Sequence, residues 1–212
     1  AVESGYDAAT ANHASDALRA LFRSLRSDPR ALGDTLDILV IDRARDGLLR
    51  DCGIDDAFRG VKDRETARAL TALPSRLETL DAVPEEKRFE ELIRGVFAGN
   101  LFDMGSAQTA TMFLGGSTLA FERCLDRAPK RPWDIDGFDG ARLDGWGHAL
   151  LFVDNAGADV ILGILPLARE LLRRGARVTL AANERPSLND VTAKELRPIV
   201  EGISDLRGAR FP

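Results

Sequence analysis

The chemistry this sequence offers most plainly lies in Asp154, Asn155 and Asp190. Asp154 and Asn155 stand side by side at the end of the apolar run Leu150-Leu151-Phe152-Val153, and Asp190 closes a polar loop further on. Two carboxylates and an amide oxygen are hard oxygen ligands suited to a divalent cation. Three such ligands leave positions for water and for a phosphate. Other readings stay open at this point. Asp154-Asn155 also reads as an ordinary turn between a strand and a helix, and Asp190 as the N-cap of a helix beginning near Val191.

The elements that must position these residues can be read from periodicity. A short apolar run closed by a turn signal predicts a buried strand over 149–153. After Gly157, residues Ile161, Ile164, Leu165, Ala168, Leu171 and Leu172 recur at helical spacing. They predict a helix over 158–174 that ends at Arg173-Arg174-Gly175, with a kink at Pro166. A second strand follows over 177–182 and a helix over 192–202. A strand-helix-strand unit implies parallel strands and a right-handed crossover. Both strands then end on one sheet edge, where open α/β sheets bind ligands. That edge gathers Asp154, Asn155, Asn183 and the loop to Asp190. Arg185 in that loop offers a phosphate contact on its charge alone.

Upstream the pattern is helical. Apolar residues at i, i+3 and i+4 predict helices over 14–25, 35–49, 64–80, 89–97 and 107–125, with a break or kink at Pro74. The expected organisation is a helical region over 1–130, an ordered connecting loop over 131–147, and the first part of an α/β metal-binding catalytic domain over 148–212. The fold class is α/β: the helical region packs on a Rossmann-like parallel α/β/α domain. Two strands do not complete a doubly wound sheet, and the chain opens at Ala1, so a longer protein is expected. The uncovered sheet edge predicts poor solubility or a homo-oligomer.

The 212 residues carry a net charge of −5 and no basic cluster with interleaved aromatics, which argues against nucleic acid as a partner. No apolar run is long enough to span a membrane. Cys52 and Cys124 have neither metal-site nor disulfide-framework spacing, which fits a reducing, cytoplasmic setting.

Taken together, several segments resemble one family. Phe152-Val153-Asp154-Asn155-Ala156-Gly157-Ala158-Asp159 and Leu188-Asn189-Asp190-Val191-Thr192 are similar to segments of the metal-dependent damage-control phosphatases (domain of unknown function family 89). So are Phe58-Arg59-Gly60-Val61-Lys62, Ala98-Gly99-Asn100-Leu101-Phe102-Asp103-Met104-Gly105 and Arg131-Pro132-Trp133. The branch resembled is the one found alone or fused to pantothenate kinase, whose members dephosphorylate 4'-phosphopantetheine and its damaged forms. The resemblance implies a phosphatase of coenzyme A metabolism, with Asp154, Asn155 and Asp190 holding Mn, Mg, Co or Ni. It implies catalytic roles for Asp154 and Asp190, and substrate contacts from Asn100 and Asp103. Lys62 and Glu65 fall in a motif next to the pocket, although Thr66 stands where Asn is usual and Met104 replaces a common Trp. A small phosphorylated metabolite is the implied ligand, and a pantothenate kinase domain in a longer chain the implied partner. The family's later Glu-Gly-Met-Gly-Arg segment has no counterpart in these residues.

Competing classes are a sugar-phosphate phosphatase of the same family and a catalytically silent metabolite-binding regulatory domain. A haloacid-dehalogenase-like phosphotransferase needs a second Asp where Ala156 stands. Ser187 lacks a nucleophile-elbow context, and no GxGxxG follows the first strand. His13 and His148 are isolated.

Overall fold

The computed structural model describes residues 2–33, 35–100, 117–128 and 145–212, with backbone only at 117–120. Asp103, Met104, the Arg131-Pro132-Trp133 motif, nearly all of the expected connecting loop and the first half of the helix expected over 107–125 lie outside the described residues.

The chain divides into two compact units. The first comprises Ala1–Val61 with Pro186–Leu188. Its helices α1 (Ala8–Ser27) and α2 (Ile38–Asp51) begin at Asp7 and Asp37. Each Asp side chain accepts from the backbone N–H three residues on, at 2.8 and 2.9 Å, and so satisfies a helix-end donor. Most of this unit's apolar residues stay partly open, but Ala14, Leu25 and Ile54 are buried. Arg45 bonds Asp42 and Asp46 within α2 and reaches Ser187 Oγ at 3.2 Å.

The second unit comprises Lys62–Arg185 and Asn189–Pro212. It holds most of helix α3 (Arg59–Ala82), α4 (Glu85–Asn100), α5 (Ser117–Arg127), strand β1 (His148–Phe152), helix α6 (Leu165–Arg173), strand β2 (Arg177–Ala181) and α7 (Ala193–Gly202). Leu73 of α3, Leu92 of α4, Phe121 of α5, Leu171 of α6, Val178 of β2 and Leu196 of α7 belong to one apolar core. Helices α3 to α5 therefore share a core with the α/β elements, and the division between the two compact units falls inside α3.

The two strands pair in parallel, in the register His148↔Arg177 to Phe152↔Ala181. Val178 and Leu180 of β2 are fully buried. The other edge of β2 is met by Arg210, whose backbone bonds Val178 and Leu180 at 2.8 Å each. Strand β1 departs from the buried strand expected over 149–153, because Leu150 and Phe152 are 51% and 77% exposed.

Helix α3 continues through Pro74. The helix after β1 is not an α-helix kinked at Pro166: residues Asp159–Ile164 form a π-helix, and α6 starts at Leu165 with Pro166 in its first turn. Proline cannot donate to the carbonyl four residues back and its ring crowds that carbonyl. The wider π turn ahead, where Leu165 N–H bonds Val160 O, moves the proline to a position that needs no donor. Gly95 and Gly163 let α4 and the π-helix approach closely: a Cβ on Gly163 would stand 3.0 Å from the Gly95 carbonyl oxygen.

Candidate metal and phosphate site at the sheet edge

The parallel register carries the ends of β1 and β2 to the same edge, and two loops are knitted together there. Asn155 and Asp190 form an isolated antiparallel bridge. Val191 N–H donates to the Asp154 carbonyl at 2.6 Å, and Ala156 N–H to the Asn189 carbonyl at 2.9 Å. The structure thus brings together Asp154, Asn155 and Asp190, the three residues expected to act as one.

Their side chains differ in environment. Asp154 is exposed, takes one hydrogen bond from the Asn155 N–H at 2.8 Å, and has no cationic partner among the described residues. Asn155 is 8% exposed. Its Oδ1 accepts from Asn189 Nδ2 at 2.8 Å, and its Nδ2 donates to Asp159 Oδ2 at 3.3 Å. Asp190 Oδ2 accepts from Asn183 Nδ2 at 2.7 Å.

Asp190 is not the helix cap. That place belongs to Thr192, whose side chain and Glu195 complete a reciprocal capping box. Relieved of the cap, the Asp190 carboxylate faces Asn183 instead. Thr192-Ala193-Lys194-Glu195 is a capping-box signature visible in the sequence, so this distinction was available there.

Lys62 was expected at the substrate. Its side chain is almost wholly buried, forms an ion pair with Glu195 at 2.8 Å and donates to the Asp190 carbonyl at 3.3 Å. Glu195 is pulled two ways: burial raises its pKa, but hydrogen bonds from Lys62 and Thr192 prevail and hold it below the ordinary carboxylate value. The ammonium thereby braces the Asp190 loop and α7. Arg185 is exposed and makes no hydrogen bond or ion pair among the described residues. Asn100 ends α4 as an exposed residue. The preceding Gly99 lies so close to Asp159 that a Cβ would stand 2.7 Å from its Cα.

Glu65 joins from α3. Gly157, at φ 83°, packs against it, and a Cβ there would come within 2.9 Å of Glu65 Cβ. Glu65 Oε1 binds Arg68 at 2.9 Å, while Oε2 is buried without a hydrogen-bond partner among the described residues. Beside the site, a cavity of about 330 Å³ is lined by Lys62, Thr66, Leu70, Ala156, Val191 and Ile199, among others.

Asp159 and Asn189 were not singled out as site residues beforehand. Asn155 and Asp159 stand at i, i+4 spacing, the only local signal for that pair. Nothing local links Asn189 to Asn155.

Among the described residues, no three His, Cys, Asp or Glu side chains converge as a metal cluster. The donor set here instead combines two carboxylates with an amide oxygen. All three are hard donors, and Asp154 has no cationic partner among the described residues, so the set fits a hard divalent cation.

Residues 10–209 match the model of the damage-control phosphatase ARMT1-like domain. The chain belongs to this family. It is 45% identical over 193 residues to a damage-control phosphatase of Arabidopsis thaliana, covering 89% of this chain and 52% of that protein. Pantothenate kinase 2 of the same plant is 45% identical over 190 residues, 85% of this chain and 21% of the kinase. The 4'-phosphopantetheine phosphatase of Mus musculus is 37% identical over 186 residues, 86% of this chain and 23% of that protein. The chain thus spans about half of the first relative and under a quarter of the other two. A crystal structure of a DUF89 family protein from Pyrococcus horikoshii superposes with a TM-score of 0.58 at 15% identity, over 99% of this chain and 66% of that one. At that identity the likeness establishes the fold, which is that of the damage-control phosphatase family.

Proposed function

We propose that the chain carries the metal-binding half of a phosphatase that hydrolyses a phosphomonoester metabolite, with 4'-phosphopantetheine or its damaged forms as substrate. The observation that carries this reading is the pairing of the Asp154-Asn155 turn with the Asp190 loop at the sheet edge. Family membership and the printed names of the relatives support the substrate class. Relatives named pantothenate kinase support a reaction of coenzyme A metabolism beside a kinase domain in a longer chain, and a cytoplasmic setting belongs to the same reading.

Asp154, Asn155 and Asp190 would hold one divalent cation (Mn, Mg, Co or Ni), which supplies charge neutralisation at the phosphate and favours attack by water. Asp154 and Asp190 are the catalytic residues in this reading, and direct attack by the exposed Asp154 carboxylate is the competing route. Arg185, open to solvent, contacts phosphate. Lys62 acts on the substrate through the Asp190 loop. Asn100 and Asp103 grip the non-reacting part. The cavity walled by Leu70, Val191 and Ile199 offers an apolar surface to the pantetheine arm.

The test measures phosphate release by the longest form its gene encodes, stripped of metal and then supplied with Mn²⁺ or Mg²⁺. Metal-dependent release from 4'-phosphopantetheine is expected, with a hexose 6-phosphate turned over more slowly. Preference for the hexose phosphate would move the chain to the sugar-phosphate branch. Silence with both substrates and all four metals would overturn the reading in favour of a metabolite-binding domain.

A further inference from the structure

The amide of Asn155 is buried, and its neighbours dictate which way round it stands. Asp159, 5% exposed, accepts from its Nδ2, and Asn189, 8% exposed, donates to its Oδ1. The carboxylate oxygen of Asp159 accepts, so the nitrogen edge of the amide faces it. The oxygen is left on the Asn189 side with one of its two lone pairs uncommitted by that bond.

Both neighbours are themselves held. Gly99 packs against Asp159, where a Cβ would lie 2.7 Å from Oδ1 as well as from Cα. The Asn189 backbone carbonyl accepts from Ala156 at 2.9 Å. An asparagine without such constraints presents oxygen or nitrogen with similar ease, and the nitrogen edge repels a cation.

The geometry points to Asp159 and Asn189 as positioning residues that lock Asn155 with its oxygen available to the divalent cation. This inference rests on the metal-site reading above. The polar chain Asn189–Asn155–Asp159 has a direction, and the direction selects which atom becomes a ligand.

The experiment titrates Mn²⁺ into the protein by calorimetry and records the melting temperature of the metal-free form. Asp159→Asn removes the obligate acceptor, so the amide can turn. Its Mn²⁺ affinity should fall by about 10- to 100-fold, the range typical for loss of a ligand's supporting hydrogen bond. The double variant Asp159→Asn/Asn189→Asp reverses the chain while keeping both side-chain hydrogen bonds of Asn155 and the net charge. Its metal-free melting temperature should return towards the parent value, yet Mn²⁺ affinity should stay low, because Asn155 now stands reversed. If affinity recovers together with melting temperature, the two residues are merely structural and the inference is overturned. Asn189→Ala, which removes only the donor, should weaken Mn²⁺ by about tenfold and serves if the Asp159 variants do not fold. Parent-like affinity in Asn189→Ala or Asp159→Asn also overturns the inference. Asp154→Ala separates the two levels: if it leaves Mn²⁺ binding intact, the metal-site reading itself fails.

Discussion

The helix that follows β1 has a polar cluster at each end, and the two clusters use their carboxylates in opposite ways. At the far end, Arg169 grips Asp81 through two bonds of 2.8 Å and Asp205 through one of 2.7 Å, while Arg173 adds a third bond to Asp81. The Arg169 hydrogen bonds above all hold the Asp81 carboxyl down to about 2, against an ordinary 3.8. At the near end, amides do the bonding: Asn189 to Asn155, Asn155 to Asp159, Asn183 to Asp190. Asp154 there meets no cation among the described residues. A carboxylate matched to a guanidinium has its charge compensated inside the protein, and its work is to tie α6 to α3. The exposed Asp154 carboxylate, with no cationic partner among the described residues, stays open to a ligand.

The sharpest break in this comparison comes from removing one carboxylate at each end. Asp154→Ala should lower phosphate release by at least about 100-fold, while changing metal-free stability by less than about 1 kcal/mol, because the side chain is exposed. Asp81→Ala should leave turnover unchanged. Steady-state kinetics and urea melts on both variants check this, and equal activity losses would erase the distinction.

Lys62→Met sharpens it from the other side. The variant leaves Glu195 partly buried without its ammonium and should cost roughly 2–3 kcal/mol, below the full cost for a buried pair because the Glu195 side chain is 32% exposed. Glu195 has a depressed folded pKa, so the pair's contribution is complete above the ordinary value of 4.5 and is lost as pH falls through the lower folded value. Urea melts at pH 7 and pH 3 should therefore show the parent and Lys62→Met converging at the acid end.

Asp190 and Thr192 separate ligand from cap. Asp190→Ala should abolish the rise in melting temperature produced by Mn²⁺, since a ligand that binds only the native state stabilises it by mass action. Thr192→Ala should keep the metal-induced rise and cost about 1 kcal/mol of stability. The reverse pattern would return Asp190 to the role of a cap.

The smallest effect is expected at the far end. Asp81→Asn should cost under about 1 kcal/mol at pH 7, as exposed ion pairs are screened by solvent. With a folded pKa of about 2 and an ordinary one of 3.8, this contribution is intact above the ordinary value and disappears as pH falls between the two. An acid titration of unfolding, parent against variant, reads it directly.

Periodicity alone located β1, β2 and the helices flanking them to within a few residues. Parallel pairing followed from the length of the connection, and placed Asp154 and Asp190 on one edge before any coordinates. The same reasoning missed the π-helix, since apolar spacing over six residues does not distinguish a turn of 3.6 residues from a wider one. It also left Asp190 open as the helix cap, a place that belongs to Thr192. Asp is a good cap in isolation, and the Thr192-to-Glu195 capping-box signature is the feature that decides between them.

What the sequence by itself determined, then, is which chemistry-bearing residues arrive at the sheet edge, because strand direction and connection length are local properties. What only the tertiary structure decided is how their atoms are used. Lys62 turned inward to Glu195 and the Asp190 carbonyl, across separations of 133 and 128 residues. Asn155 was clamped between Asp159 and Asn189, the latter 34 residues away. A buried polar atom must take whichever partner packing brings within about 3 Å, and that choice depends on how elements close over one another, not on the spacing of residues along the chain.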